Sequence, residues 1–310
     1  MTSQERRQRS RERRGHQPDG VDESLAAVRK AGCDKSGEAL STMVAQLDVE
    51  PGMRILEVTD GSARVDNSRW EHAGVAAVDT IPLRGPDHAP YGRGSYERTP
   101  HASARYDRVI VTVPVSVVSA AWVDATRAGG VVVVPWANPL AGPALVRLVV
   151  DDERAAGPFV SLLNGLPPPA PAPAGLDFFA LHGSTLGAGA EFTCALDPAE
   201  IWSDPNALFA LGLRIPDVHY TEAEIPDGRG RFGRWVYDQE SWAGVTVSAT
   251  GSDRRWEHYG FSRLGGALDT AYRWWLDNDR PGPDRFGMTV ASFGQFGWLG
   301  DRYSGRIWRL

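Results

Sequence analysis

The sequence predicts an α/β fold with a parallel sheet, followed by a smaller α+β region. Three nearly continuous apolar runs lead to the first part of this prediction, at residues 54–58, 107–113 and 131–135. Runs of Val and Ile without polar alternation suit strands that are covered on both faces, as in a parallel sheet. Beyond residue 176 the pattern changes to hairpins and one amphipathic helix, which is typical of an α+β region.

The first region alternates helical and extended patterns. A helix is predicted at residues 37–47, because Leu40, Met43, Val44 and Leu47 share one face. Pro51-Gly52 then turns the chain into the first strand. The predicted strands are residues 54–58, 75–79, 107–113, 131–135 and 144–150.

Composition divides the 310 residues into four parts. Residues 1–20 carry six arginines and predict a disordered basic tail. Residues 21–165 form the predicted α/β domain, and the proline-rich residues 166–175 form a stiff linker. Residues 176–310 form the α+β domain, with a hairpin at 234–249, a helix at 262–276 and a last hairpin at 286–299.

Charge and cysteine content exclude several classes of protein. The chain has 33 basic and 39 acidic residues, a net charge of −6, which argues against general nucleic-acid binding. No apolar run approaches the roughly 20 residues that a membrane helix needs. Cys33 and Cys194 lie far apart without a CxxC motif, which predicts reduced thiols, a cytoplasmic protein and no metal site.

Candidate ligand-binding residues follow the first two strands. A parallel sheet binds ligands beyond the carboxyl ends of its strands, and a nucleoside cofactor there uses a glycine-containing turn and an acid. Glu57 lies at the end of the first strand, and Gly61 lies in the turn after it. Asp79 lies at the end of the second predicted strand, about twenty residues later. The alternative for Asp79 is a solvated carboxylate without a ligand.

Residues 49–58, 105–113 and 127–135 resemble strand signatures of S-adenosylmethionine-dependent methyltransferases, and more narrowly the protein-L-isoaspartate O-methyltransferase family. The resemblance covers residues 33 to about 150. It implies a Rossmann-like sheet and S-adenosyl-L-methionine as cofactor. It also implies carboxyl O-methylation of an Asp or isoAsp side chain in a protein or ribosomal peptide.

The same resemblance assigns site residues. It places the catalytic positions at Ser36, in a loop that holds the substrate carboxylate, and at Thr112, after the strand that faces that carboxylate. It places the cofactor-binding positions at Glu57, Thr59, Gly61, Asp79 and Gly92, with Asp79 on the ribose and Gly92 near adenine. Ser36 has the alternative role of a helix N-cap.

Several positions depart from the family pattern. Thr59 and Ala63 stand where the family has glycines, so only Gly61 remains of three. Arg93 replaces an acid, and residues 80–91 are too few for a crossover helix and a strand. These departures support an alternative function, a catalytically decayed methyltransferase-fold protein that binds a peptide or a partner enzyme.

The C-terminal region carries a second resemblance. Residues 211–218, 271–275 and 285–290 resemble the extension on actinobacterial isoaspartyl-methyltransferase relatives that accompany ATP-grasp or lanthipeptide maturation systems. This resemblance implies a precursor peptide as substrate and a peptide-maturation enzyme as partner.

Overall fold

The structure is a computed structural model that describes most of the chain between residues 37 and 310. The described ranges are 37–83, 105–151, 154–164, 166, 177–192, 202–216, 218–225, 229–248, 250, 254–261, 263–303 and 305–310. The predicted basic tail lies outside them, and so does the linker apart from Leu166.

Strands predominate in the described part of the chain. The strands are β1 Arg54–Thr59, β2 Ala77–Pro82, β3 Tyr106–Val111, β4 Thr126–Trp136, β5 Ala144–Asp151, β6 Arg154–Leu162, β7 Ala190–Glu191, β8 His219–Glu224, β9 Phe232–Tyr237, β10 Trp242–Val247, β11 Arg254–Tyr259, β12 Phe286–Ala291, β13 Gly294–Leu299 and β14 Ile307–Arg309. The helices are α1 37–45, α2 Asn67–His72, α3 Ala120–Asp124, α4 Phe178–His182, α5 Pro205–Arg214 and α6 Leu264–Asp277.

A nine-stranded sheet runs through the molecule in the order β14-β13-β12-β6-β5-β4-β3-β1-β2. Strands β2, β1, β3 and β4 are parallel neighbours, and every later pair in this sheet is antiparallel. The parallel half agrees with the predicted Rossmann-like sheet. The prediction of an α/β sheet with a second, smaller sheet region is therefore confirmed.

Apolar layers cover both faces of the inner parallel strands β1, β3 and β4. On one face, Met43 and Leu47 of the α1 region pack with Ile55, Ile110 and Val133. The other face forms a larger core with α3, α5 and α6. Burial of both faces explains why the sequence of these strands shows continuous Val and Ile rather than alternation.

The second strand differs from its prediction. We expected residues 75–79, ending in Asp79, but β2 covers Ala77–Pro82. Thr80 and Ile81 continue the pairing with β1, and the Leu83 N–H donates to the Thr59 carbonyl. Pro82 does not stop the strand earlier because β2 is the edge of the sheet, where a missing N–H costs little.

The second sheet is antiparallel, with the order β7-β11-β10-β9-β8. Its predicted hairpin is confirmed as β9 and β10. Phe178 of α4 stacks on Trp235 with ring centroids 4.7 Å apart, and both side chains are buried. A separate aromatic core therefore lies on the face of this sheet that α4 covers.

The last three strands return to the first sheet. The predicted hairpin at 286–299 is confirmed as β12 and β13, and β12 pairs with β6 from Gly287↔Pro158 to Ala291↔Arg154. The domain boundaries at residues 165 and 176 stay a prediction. The chain nevertheless completes the nine-stranded sheet with residues from both sides of the linker. No helix in the described ranges combines the length and apolarity needed to cross a bilayer.

Candidate functional site

The carboxyl end of β1 places a buried acid beneath the loop that follows it. The Glu57 side chain is fully buried, and one carboxylate oxygen accepts from the Val65 N–H at 2.8 Å. The other oxygen has no hydrogen-bond donor among the described residues, and the Arg64 Nε lies 4.0 Å away. Burial raises the pKa of the Glu57 carboxyl, and this effect outweighs the opposing Val65 N–H and Arg64 charge.

The β1 loop, residues 59–65, is closed by its own hydrogen bonds. The Thr59 hydroxyl donates to the Ala63 carbonyl at 2.6 Å and accepts from the Gly61 N–H at 3.0 Å. The Thr112 hydroxyl donates to the same Ala63 carbonyl at 2.7 Å. Gly61 has φ +92°, a conformation that favours glycine, so this one remaining glycine is needed for the turn itself.

Asp79 does not reach the carboxyl end of the sheet. It lies in the middle of β2, opposite Leu56, and its carboxylate accepts from the Tyr106 hydroxyl at 2.7 Å. Arg54 forms an ion pair with it at 3.7 Å. Both partners are the first residues of their strands, so the Asp79 side chain points toward the amino ends. The expected position at the end of the strand is therefore wrong, while the role of Asp79 as a ribose ligand stays a prediction.

The Tyr106–Asp79 contact has a measurable consequence. Tyr106 is buried, and burial together with the hydrogen bond to Asp79 raises the pKa of the Tyr106 hydroxyl to about 12. The Tyr106 phenol thus stays protonated over the whole physiological pH range and continues to donate its hydrogen bond to the Asp79 carboxylate.

The β3 segment, residues 112–119, is fixed by two distant side chains. The Gln295 amide accepts from the Val118 N–H at 3.1 Å and donates to the Ser116 carbonyl at 2.6 Å. The Trp136 indole N–H also donates to the Ser116 carbonyl, at 2.9 Å. Sequence reasoning missed Gln295 and Trp136, because contacts across 20 to 179 residues leave no local signal.

The predicted site residues divide into three groups. Glu57, Thr59, Gly61 and Thr112 meet at the carboxyl ends of β1 and β3. Asp79 lies apart from them. Ser36 and Gly92 lie outside the described residues, as does Arg93. No group of three His, Cys, Asp or Glu side chains that could hold a metal ion occurs within the described ranges.

The described half of the site does not fit S-adenosylmethionine. The amino-acid end and ribose of such a cofactor need an open glycine turn and a free acid at the end of the second strand. Here the hydroxyls of Thr59 and Thr112 both donate to the Ala63 carbonyl within the turn. The Asp79 carboxylate accepts a hydrogen bond from Tyr106. Among the described residues of this edge, the Glu57 oxygen lacks a hydrogen-bond donor and has only the Arg64 charge at 4.0 Å, so a cationic group could still bind to it.

We expect Glu57→Gln to change the pH dependence of stability. Because the pKa of Glu57 is raised in the folded state, its protonated form favours folding, and that contribution is lost as pH rises above the ordinary glutamate range. The variant should gain about 1 kcal/mol over the wild type at pH 7 and little or nothing at pH 4, on the scale for an unpaired buried polar group. Urea unfolding at several pH values measures this difference. The exposed Glu71→Gln is the matched control and should show no such trend.

The comparisons with known proteins do not show a family. No protein-family model matches the sequence, and no curated protein is significantly similar to it. Among solved structures, the chain is similar to one described as a protein-L-isoaspartate O-methyltransferase, at a TM-score of 0.39 and 16% identity. That match covers 84% of this chain and 80% of the other. The resemblance found in the strand signatures thus remains a resemblance.

Proposed function

We propose that this chain is a methyltransferase-fold protein that binds a peptide or a partner protein and does not catalyse methyl transfer. The closed β1 loop carries the proposal. The hydroxyls of Thr59 and Thr112 both donate to the Ala63 carbonyl, and Glu57 accepts from Val65 at the far end of the loop. A ligand that took the place of this turn would have to displace these bonds. The two to Ala63 are part-buried and the one to Glu57 is buried, and each contributes about 0.5–1.5 kcal/mol.

The position of Asp79 supports the same proposal. A ribose-binding acid must be free to accept from two hydroxyls, but Asp79 has the Tyr106 hydroxyl and Arg54 as partners at the other end of the strands. Releasing it would leave the Tyr106 hydroxyl buried without an acceptor. Both contacts are to Oδ2, and they hold the Asp79 carboxylate at the amino ends of β1 and β3, away from the β1 loop.

A second candidate is the enzyme that the strand signatures imply. It is an S-adenosylmethionine-dependent carboxyl O-methyltransferase acting on an Asp or isoAsp side chain. The unpaired oxygen of Glu57 favours it, since a buried carboxylate oxygen without a donor suits an ammonium group. In that case Glu57 would hold the amino-acid end of the cofactor, which supplies an activated methyl group. Thr112 would line the substrate side.

Titration of the full chain with S-adenosylhomocysteine distinguishes the two candidates. We expect no heat of binding and a melting temperature that moves by less than about 1 °C, because a ligand that does not bind the folded state cannot stabilise it. An active methyltransferase titrated under the same conditions is the positive control. Micromolar binding by the wild-type chain would refute the non-catalytic proposal and support the enzyme.

A further inference from the structure

A groove with three arginines lies at the end of the sheet opposite to the closed β1 loop. It has a volume of about 780 Å³. Its walls come from the beginnings of β3, β4 and β6 and from the turn between β12 and β13. The lining residues are Arg105, Arg127, Ala128, Arg154, Ala291, Ser292 and Phe293. We call this surface the arginine groove.

Two of its three guanidinium groups lack a carboxylate partner among the described residues. Arg127 is neutralised by Asp107, with 2.7 Å between Nε and the carboxylate. Arg105 reaches only the carbonyls of Asp124 and Thr126, at 3.3 and 3.4 Å. The Arg154 side chain makes no hydrogen bond or ion pair within the described ranges, although Asp151 is its cross-strand neighbour.

Phe293 gives the arginine groove an apolar edge. Its side chain is 74% exposed at the turn between β12 and β13, and its ring lies 5.5 Å from that of Phe296. The small side chains of Ala128 and Ala291 leave room beside it. Arginine and exposed aromatic side chains are the residue types enriched where proteins bind other chains.

The charge of the arginine groove indicates the chemical class of its ligand. Its three arginines face the carboxylates of Asp107 and Asp151, so these described residues leave a local charge of +1 in a chain of net charge −6, which favours an acidic ligand. Guanidinium groups bind carboxylates through paired hydrogen bonds. The arginine-rich residues 1–20 have the wrong sign to occupy it.

We propose that the arginine groove binds an acidic peptide segment, with carboxylates on Arg105 and Arg154 and an apolar side chain against Phe293. The volume suits several peptide side chains rather than a whole folded surface. This inference rests on the proposed function, for which it names the ligand class. It uses none of the residues at the carboxyl edge.

The test uses fluorescence anisotropy of the full chain with a labelled octapeptide of alternating glutamate and leucine. We expect a Kd below about 100 μM at low salt, weakening as ionic strength rises because the contacts are exposed charges. Arg105→Gln with Arg154→Gln should weaken binding by about tenfold or more, on the scale of charge-assisted hydrogen bonds. Phe293→Ala should weaken it by about threefold or more.

The matched control is Arg285→Gln, which removes the same charge from an exposed side chain at the opposite end of β12. It should leave the Kd within about twofold, since charges this far apart are screened. The proposal is overturned by equal binding of a glutamine-leucine peptide, by an unchanged Kd in the double variant with an unchanged melting temperature, or by the absence of binding. Tighter binding of a single-stranded oligonucleotide of equal charge would also overturn it.

The peptide-binding experiment and the S-adenosylhomocysteine titration can fail independently of each other. If the chain binds S-adenosylhomocysteine and also the acidic peptide through Arg154, the non-catalytic proposal fails and the arginine groove stands. If the chain binds neither ligand, the proposal that the arginine groove binds an acidic peptide is wrong, while the absence of methyl transfer is still supported. The Arg105 and Arg154 variants leave the β1 loop intact, so they report on the groove alone.

Discussion

Gly212→Ala is expected to destabilise the fold by about 2–4 kcal/mol, the range for overpacking combined with the loss of buried hydrogen bonds. Gly212 lies in α5, and a Cβ atom there would come 1.8 Å from the Asn138 Oδ1. Asn138 is fully buried after β4. Its amide donates to the Phe209 carbonyl at 2.9 Å, and its oxygen accepts from the Leu140 and Ala141 N–H groups.

The expected loss of stability in Gly212→Ala is opposite in sign to the effect that helix propensity alone would give. Alanine is favoured over glycine inside a helix by about 1 kcal/mol. That gain is smaller than the cost of displacing Asn138, because the side chain has buried partners on two elements and no open space to move into. The same substitution at Gly266 in α6 is the matched control. Nothing lies within 4 Å of its added Cβ, so Gly266→Ala should be neutral or stabilising.

A double-mutant cycle in urea separates the clash from other effects. Asn138→Ala should itself cost about 2–3 kcal/mol, because it leaves the Leu140 and Ala141 N–H groups without this acceptor and removes the hydrogen bond to the Phe209 carbonyl. Once Asn138 is alanine, the clash at Gly212 is removed. The double variant should therefore cost at least about 1 kcal/mol less than the sum of the single variants. Strict additivity would show that Gly212 and Asn138 do not meet as described.

The sequence predicted those parts of the fold that local patterns encode. β1, β3 and β4 were predictable because both their faces are buried, which leaves a continuous apolar run. The end of β2 was not, since the apolar run stops at Asp79, whereas this edge strand continues through the exposed Thr80 to Pro82. That error moved Asp79 from the middle of its strand to the end, and with it a predicted ligand contact.

The candidate site was predictable only where it is local. Glu57, Thr59, Gly61 and Thr112 adjoin the ends of apolar runs, and the structure brings these four together. Their mutual hydrogen bonds could not be foreseen, because residue types alone do not distinguish a turn that holds a ligand from one that closes on itself. The arginine groove combines β3, β4, β6 and the turn between β12 and β13, so it depends on the pairing of β6 with β12.

That pairing leads to the second large expected effect. A chain cut at a protease site inserted within residues 167–174 should remain one particle in native buffer. Separation would expose the edge of β6, where β12 now pairs over five residues. It would also break the aromatic cluster of Phe159, Phe209 and Phe286, whose rings meet edge to face with neighbouring centroids 5.1 and 5.6 Å apart.

Size-exclusion chromatography of the cut protein measures this association. The two pieces should elute together at the volume of the intact chain and separate only in denaturant. Interfaces within a chain that resemble a domain core are large and apolar, and they do not open at low protein concentration. Phe209→Ala removes the central ring of this cluster and is expected to weaken association after the cut, by roughly the 3–5 kcal/mol of a buried Phe truncation.

Two separately eluting pieces, each with a cooperative melting transition, would contradict this expectation and establish the predicted boundaries at residues 165 and 176. Co-elution would agree with the pairing of β12 with β6, which joins the end of the chain to the first sheet. The Gln295 contacts to Ser116 and Val118 would then link the carboxyl edge of that sheet to the end of the chain. In that case neither the β3 segment nor the arginine groove could be complete in a fragment that ends at the linker.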